Sequence, residues 1–104
     1  MPSMNVEVPH TLGQAEATNR LQDFLERVKS KYEGKVSNVS AVWNGNVLDF
    51  SFTTFGFTIA GQLTVEETVA RVTGDLPFAA MFFQGQIEQS IRDELAKALR
   101  PKTE

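Results

Sequence analysis

The sequence predicts an α+β fold: two layers, one mainly antiparallel sheet in the order β-α-β-β-β-β-α, and both helices on one face. Three observations predict it. Residues 12–33 and 77–100 carry apolar side chains at helical spacing. Residues 39–73 between them switch to a two-residue alternation broken by three turn signals. Each of these elements has one greasy side, and laying both helices across a single sheet face buries all of them together.

The elements follow in order. Met4, Val6 and Val8 alternate with Asn5 and Glu7, a short strand with one buried side that Pro9 ends. Thr11-x-x-Gln14 reads as a capping box. A first helix is expected from Leu12 to Glu33, with Ala17, Leu21, Phe24, Leu25, Val28 and Tyr32 facing in and Gly34 as its stop. Val39, Ala41 and Trp43 then point one way, and Asn44–Gly45 is the strongest hairpin signal in the chain. Leu48, Phe50 and Phe52 follow, then a turn at Phe55–Gly56. Phe57, Ile59, Gly61, Leu63 and Val65 come next, then a turn at Glu66–Glu67 and the inward pair Ala70 and Val72. This is a four-strand meander, apolar on one side and polar on the other. The first strand is expected beside one of its edge strands. Gly61 inside a strand suggests a bulge or a close helix above it.

The last element is the richest in apolar residues. Asp75 is placed to cap a helix, Pro77 suits its first turn, and the helix is expected to continue to about Arg100 before Pro101. Ala80, Phe83, Ile87, Ile91, Leu95, Ala98 and Leu99 form its core stripe. Phe78, Met81 and Phe82 fall off that stripe in the first two turns. They are either covered by a loop or the first helix, or they form an exposed apolar contact patch.

Bulk properties narrow the function. A chain of 104 residues implies one domain, 1–104, with 1–2 and 101–104 expected to fray. Hydrophobic content of 41% with eight Phe argues for a packed core rather than disorder. There is no cysteine, which excludes disulfides and thiolate chemistry and fits a cytoplasmic protein. A net charge of −3 argues against nucleic acid. No apolar run approaches the roughly 20 residues of a membrane span, and the first residues lack the pattern of a signal peptide.

Chemical motifs are equally sparse. His10 is the only histidine and has no cysteine or second histidine to share a metal with, so it reads as a turn residue. Asp49 belongs to the solvated sheet face and Asp75 to a helix start, so neither is forced into a carboxylate pair. No Gly-x-Ser-x-Gly elbow or phosphate-binding glycine loop is present. The solvent-facing side of the meander carries Asp49, Ser51, Thr53 and Thr58, without the aromatic and basic residues of an RNA-binding sheet. The expectation is therefore a non-enzymatic protein with no cofactor and no metal.

The segment Met1–Pro2–Ser3–Met4–Asn5–Val6–Glu7–Val8–Pro9–His10 with Leu12–Gly13–Gln14 resembles the start of the polyhydroxyalkanoic acid system family, whose members are described as granule-associated. The likeness continues through Trp43–Asn44–Gly45–Asn46, Phe50–Ser51–Phe52, Gly56–Phe57, Gly61 with Leu63–Thr64–Val65, and Gly74 to Met81. It ends with Gly85–Gln86–Ile87–Glu88–Gln89 and Ile91. Ala70 departs from it, where larger aliphatics are usual. The resemblance implies a small cytoplasmic bacterial protein linked to polyester storage, with a polyhydroxyalkanoate granule surface or a granule protein as partner. It supplies no catalytic residues. Joined to the residue pattern, it makes Phe78, Met81 and Phe82 the candidate contact. The alternatives are a small domain binding an apolar ligand such as an acyl chain, recognisable by an internal void, and a homodimeric interaction protein.

Overall fold

The computed structural model describes residues 3–54 and 56–100. The chain runs β1 (Ser3–Pro9), α1 (Gln14–Lys31), β2 (Ser37–Asn44), β3 (Val47–Thr54), β4 (Phe57–Val65) and β5 (Val69–Asp75). A 3₁₀ turn (Phe78–Phe83) and α2 (Gln84–Ala98) complete it. The five strands form one sheet in the order β1-β5-β4-β3-β2, every pair antiparallel. The meander lies in sequence order, and β1 closes onto its edge strand β5. The expected fold class holds.

Register explains the core. Val6, Val72, Leu63, Leu48 and Trp43 sit side by side across all five strands, so the inward alternation of each strand falls into one continuous row. α2 packs mainly on β1, α1 touches β4, and the two helices meet each other. Ala17 and Leu21 of α1, Leu95 and Ala98 of α2, and the following Leu99 are buried against that row. No comparable helix contact reaches β2. Val39 and Ala41, expected to face a core, are therefore exposed, and Trp43, Phe50 and Phe52 are only half-buried.

Gly61 needs neither a bulge nor a helix above it. It pairs in register with Gly74 of β5 and Phe50 of β3. A Cβ there would stand 2.3 Å from the Thr73 carbonyl oxygen and 3.1 Å from Phe50 Cζ. The strands approach too closely for a side chain, and the Phe50 ring fills the space instead.

Several local expectations shift. Asn44 pairs with Val47, so the hairpin loop is Gly45–Asn46 rather than Asn44–Gly45. Gly45 takes the positive φ of 65°, the first central position of a II′-type turn. Asn46 Nδ2 instead donates to the Val65 carbonyl at 2.8 Å. Gly56 has the φ of 80° that the next turn requires, while Phe55 lies outside the described residues.

The capping box at Thr11-x-x-Gln14 does not form. Gly13 is the N-cap of α1 and has no side chain to offer. The Gln14 N–H donates to Glu67 Oε1 at 3.3 Å, and Gln14 Nε2 donates to the Val65 carbonyl at 3.0 Å. A carboxylate from the β4–β5 turn thus replaces the local cap. α1 ends at Lys31 rather than Glu33, because Tyr32 leaves helical geometry at φ −103° while its N–H still bonds the Val28 carbonyl.

At the far end, Asp75 is the last residue of β5, paired with Ser3 and Ala60, and caps nothing. Pro77 sits at the N-cap position with extended geometry. Arg20 Nη1 donates to the carbonyls of Ala98 at 3.3 Å and Arg100 at 2.6 Å, a cation closing the C-terminus of α2. The expected fraying at 1–2 and 101–104, and the stop at Pro101, lie outside the described residues.

Candidate functional site

The long helix expected from Pro77 is divided. Ala80 donates its N–H to the Pro77 carbonyl at 2.9 Å, an i to i+3 bond, and residues 78–83 wind at three per turn. Phe83, at φ −109° and ψ 6°, breaks the winding before α2 begins at Gln84. Gln84 Nε2 bridges the Ser3 carbonyl and Glu88 Oε2, both at 3.1 Å, and fixes this junction to the start of β1.

The tighter winding decides which residues face out. Leu76 and Ala80 are completely buried and anchor the turn. With three residues per turn, Phe78 and Met81 share one edge and Ala79 and Phe82 another. Phe78 is 69% exposed, Met81 49% and Phe82 91%. Phe83 was expected on the core stripe beside Ile87, but it sits at the break and is 45% exposed. Four large apolar side chains in six residues therefore face outward on an anchored turn. Phe83 is the member that periodicity missed. An α-helical count and the three-residue count from buried Ala80 both place it inward, and the break at φ −109° and ψ 6° turns it out.

The other candidate residues are brought to no common centre. His10 is buried between two loops: Nε2 donates to the Glu66 carbonyl at 3.0 Å, and Nδ1 accepts the Leu12 N–H at 3.2 Å. Those two bonds specify a neutral ring with its proton on Nε2. Asp49 is exposed on the helix-free face, where Oδ1 accepts from Gln62 Nε2 at 2.8 Å. β4 separates it from Asp75. On that same face Arg71 pairs with Glu7 at 2.7 Å and Glu66 at 2.9 Å. The hydrogen bonds to Glu7 and then Glu66 hold the guanidinium above its ordinary value. Stability from a raised group is fully present below the unfolded pKa and is lost only as pH rises through the folded one. Arg71 therefore adds no pH dependence near neutrality.

Among the described residues no three His, Asp or Glu side chains converge as metal ligands, and no helix is long and apolar enough to cross a membrane. Two depressions stand out, and both are open to solvent. One of about 350 Å³ lies beside Tyr32 and α2, and one of about 540 Å³ lies over the Gly61–Gly74 pair. Neither is an enclosed apolar chamber between sheet and helices, the feature a carrier of acyl chains needs.

The model of a family described as "putative polyhydroxyalkanoic acid system protein" matches residues 4–99. The chain belongs to this family. Among solved structures, the solution structure of the Aha1 dimer from Colwellia psychrerythraea is similar, with a TM-score of 0.59. That likeness covers 95% of this chain and 94% of the other at 15% identity, and it is a likeness of fold. The comparison with curated proteins gave no match. The resemblance read from the sequence is thus established at the level of the family, and among the described residues the two most exposed large apolar side chains, Phe82 and Phe78, lie on the 3₁₀ turn.

Proposed function

We propose that this chain is a non-enzymatic cytoplasmic protein that adheres to polyhydroxyalkanoate granules through the 3₁₀ turn, with Phe78, Met81 and Phe82 as the contact and Phe83 at its border. The observation that carries the reading is the outward projection of these side chains from a turn anchored by buried Leu76 and Ala80. Family membership supports the polyester setting. A storage polymer is an apolar surface, and water-exposed rings and a flexible thioether gain by leaving water against it. Covering about 300 Å² of apolar surface is worth about 7 kcal/mol before association costs of similar size. Binding is then modest and reversible.

Co-sedimentation with isolated polyester granules tests this. Wild-type protein pellets, whereas the triple variant Phe78→Ser, Met81→Ser, Phe82→Ser stays in the supernatant with unchanged far-UV circular dichroism and Tm. A folded triple variant that still pellets contradicts the proposal, as does a variant that unfolds because these residues are core. A second reading, self-association, is favoured by one observation: the similar solved structure is of a dimer. It leaves the 3₁₀ turn free for the polymer only if the copies meet elsewhere.

A further inference from the structure

The sheet has two edges, and they are treated differently. At the β1 edge, Glu7 pairs across the ladder with Arg71, α2 packs on the strand, and Pro9 ends it. These are devices that discourage strand addition. β2 has none of that protection. From Ser37 to Asn44 it carries no charged residue and no proline. Every one of its side chains is exposed except half-buried Trp43, with Val39 at 44% and Val42 at 60%. One irregularity limits it. Asn38, at φ 54°, is an extra residue between the Ser37–Thr53 and Ser40–Ser51 pairs, so the regular edge begins at Val39.

The hairpin geometry tells which backbone groups are unused. Asn44 and Val47 flank a two-residue loop and so exchange both ladder bonds. Counting back by twos, Val42–Asp49 and Ser40–Ser51 are also hydrogen-bonded pairs. Ala41 and Trp43 belong to the other class, and their N–H and C=O groups point away from β3.

We propose that β2 pairs antiparallel with β2 of a second copy of this chain, on a two-fold axis at Ala41, making a ten-stranded sheet. This rests on the reading that the chain self-associates and names where it does so. The register is self-complementary. Ala41 meets Ala41 of the other copy, and Val39 meets Trp43. A two-fold relating neighbouring antiparallel strands stands perpendicular to the sheet, so inner face continues into inner face. The surface of exposed Val39 and Ala41 beside half-buried Phe50 and Phe52 becomes continuous with its copy. The chain carries a net charge of −3, and this uncharged strand is where two copies meet without opposing carboxylates.

The test measures mass by light scattering over a hundredfold range of concentration, on wild type, Ala41→Pro, Ala41→Lys and the triple variant of the 3₁₀ turn. Proline at 41 removes an N–H that β3 does not use, and lysine there sets two cations opposite each other on the axis. Wild type and the triple variant approach twice the monomer mass. Both Ala41 variants stay monomeric, with at least a tenfold weaker dimer. Ala41→Lys decides the matter if Ala41→Pro does not fold. Loss of the dimer in the triple variant but not in Ala41→Lys overturns the edge while keeping self-association. A wild type that is monomeric throughout overturns both.

Discussion

His10 illustrates how a residue that looks chemically available becomes structural. Its ring spans the β1–α1 connection and the β4–β5 turn with one bond to each, and both bonds are partly buried. Truncation strands the Glu66 carbonyl and the Leu12 N–H together. His10→Ala is therefore expected to lower stability by about 1–3 kcal/mol in urea unfolding, with granule binding unchanged for the folded fraction. Gly61 makes the opposite point, since here the missing side chain is the requirement. Gly61→Ala forces a methyl against the Thr73 carbonyl and the Phe50 ring, where only strand separation relieves it. The expected cost is about 1–3 kcal/mol or more, seen as a lower urea midpoint.

Among the elements, what was legible in the sequence was local. The alternation at Met4–Val8 and Leu48–Val72 and the spacing of Ala17 and Leu21 report burial directly, because each side chain's direction follows from its own backbone period. What was not legible depended on distant partners. The cap of α1 comes from Glu67, more than fifty residues away, and the local pattern at Thr11 carries no sign of it. Glu67→Ala is expected to cost about 0.5–2 kcal/mol and to fray the first turn of α1 in amide exchange. The division at Phe83 was equally hidden. Phe78 to Phe83 suit an α-helix as well as a 3₁₀ turn, and the tether from Gln84 to Ser3 is a tertiary contact. Periodicity therefore places Phe83 inward, whereas the surplus of Phe78, Met81 and Phe82 is visible from periodicity alone.

For the whole molecule, the helices pack on β1 and β4 and leave β2 uncovered, with Phe50 and Phe52 of β3 half-buried although Leu48 of the same strand is buried. Two small helices cannot roof five strands, and no pattern within β2 reveals which strand is left out. The resulting surface has two separable apolar features, the 3₁₀ turn and the β2 edge. If both act, pairing at β2 keeps the two helical layers on one side of the joined sheet, and binding to a polymer gains from two attachments per particle. The triple variant then loses the polymer and keeps the dimer, while Ala41→Lys loses the dimer and binds granules more weakly. Protection of Met81 tests the central claim most directly. Its thioether is half exposed whereas that of Met4 is buried, so peroxide oxidises Met81 in the free protein while Met4 resists. On granules the account predicts that Met81 sulfoxide formation, followed by mass spectrometry, slows at least severalfold. Granule-bound protein whose Met81 oxidises as fast as in solution would contradict it.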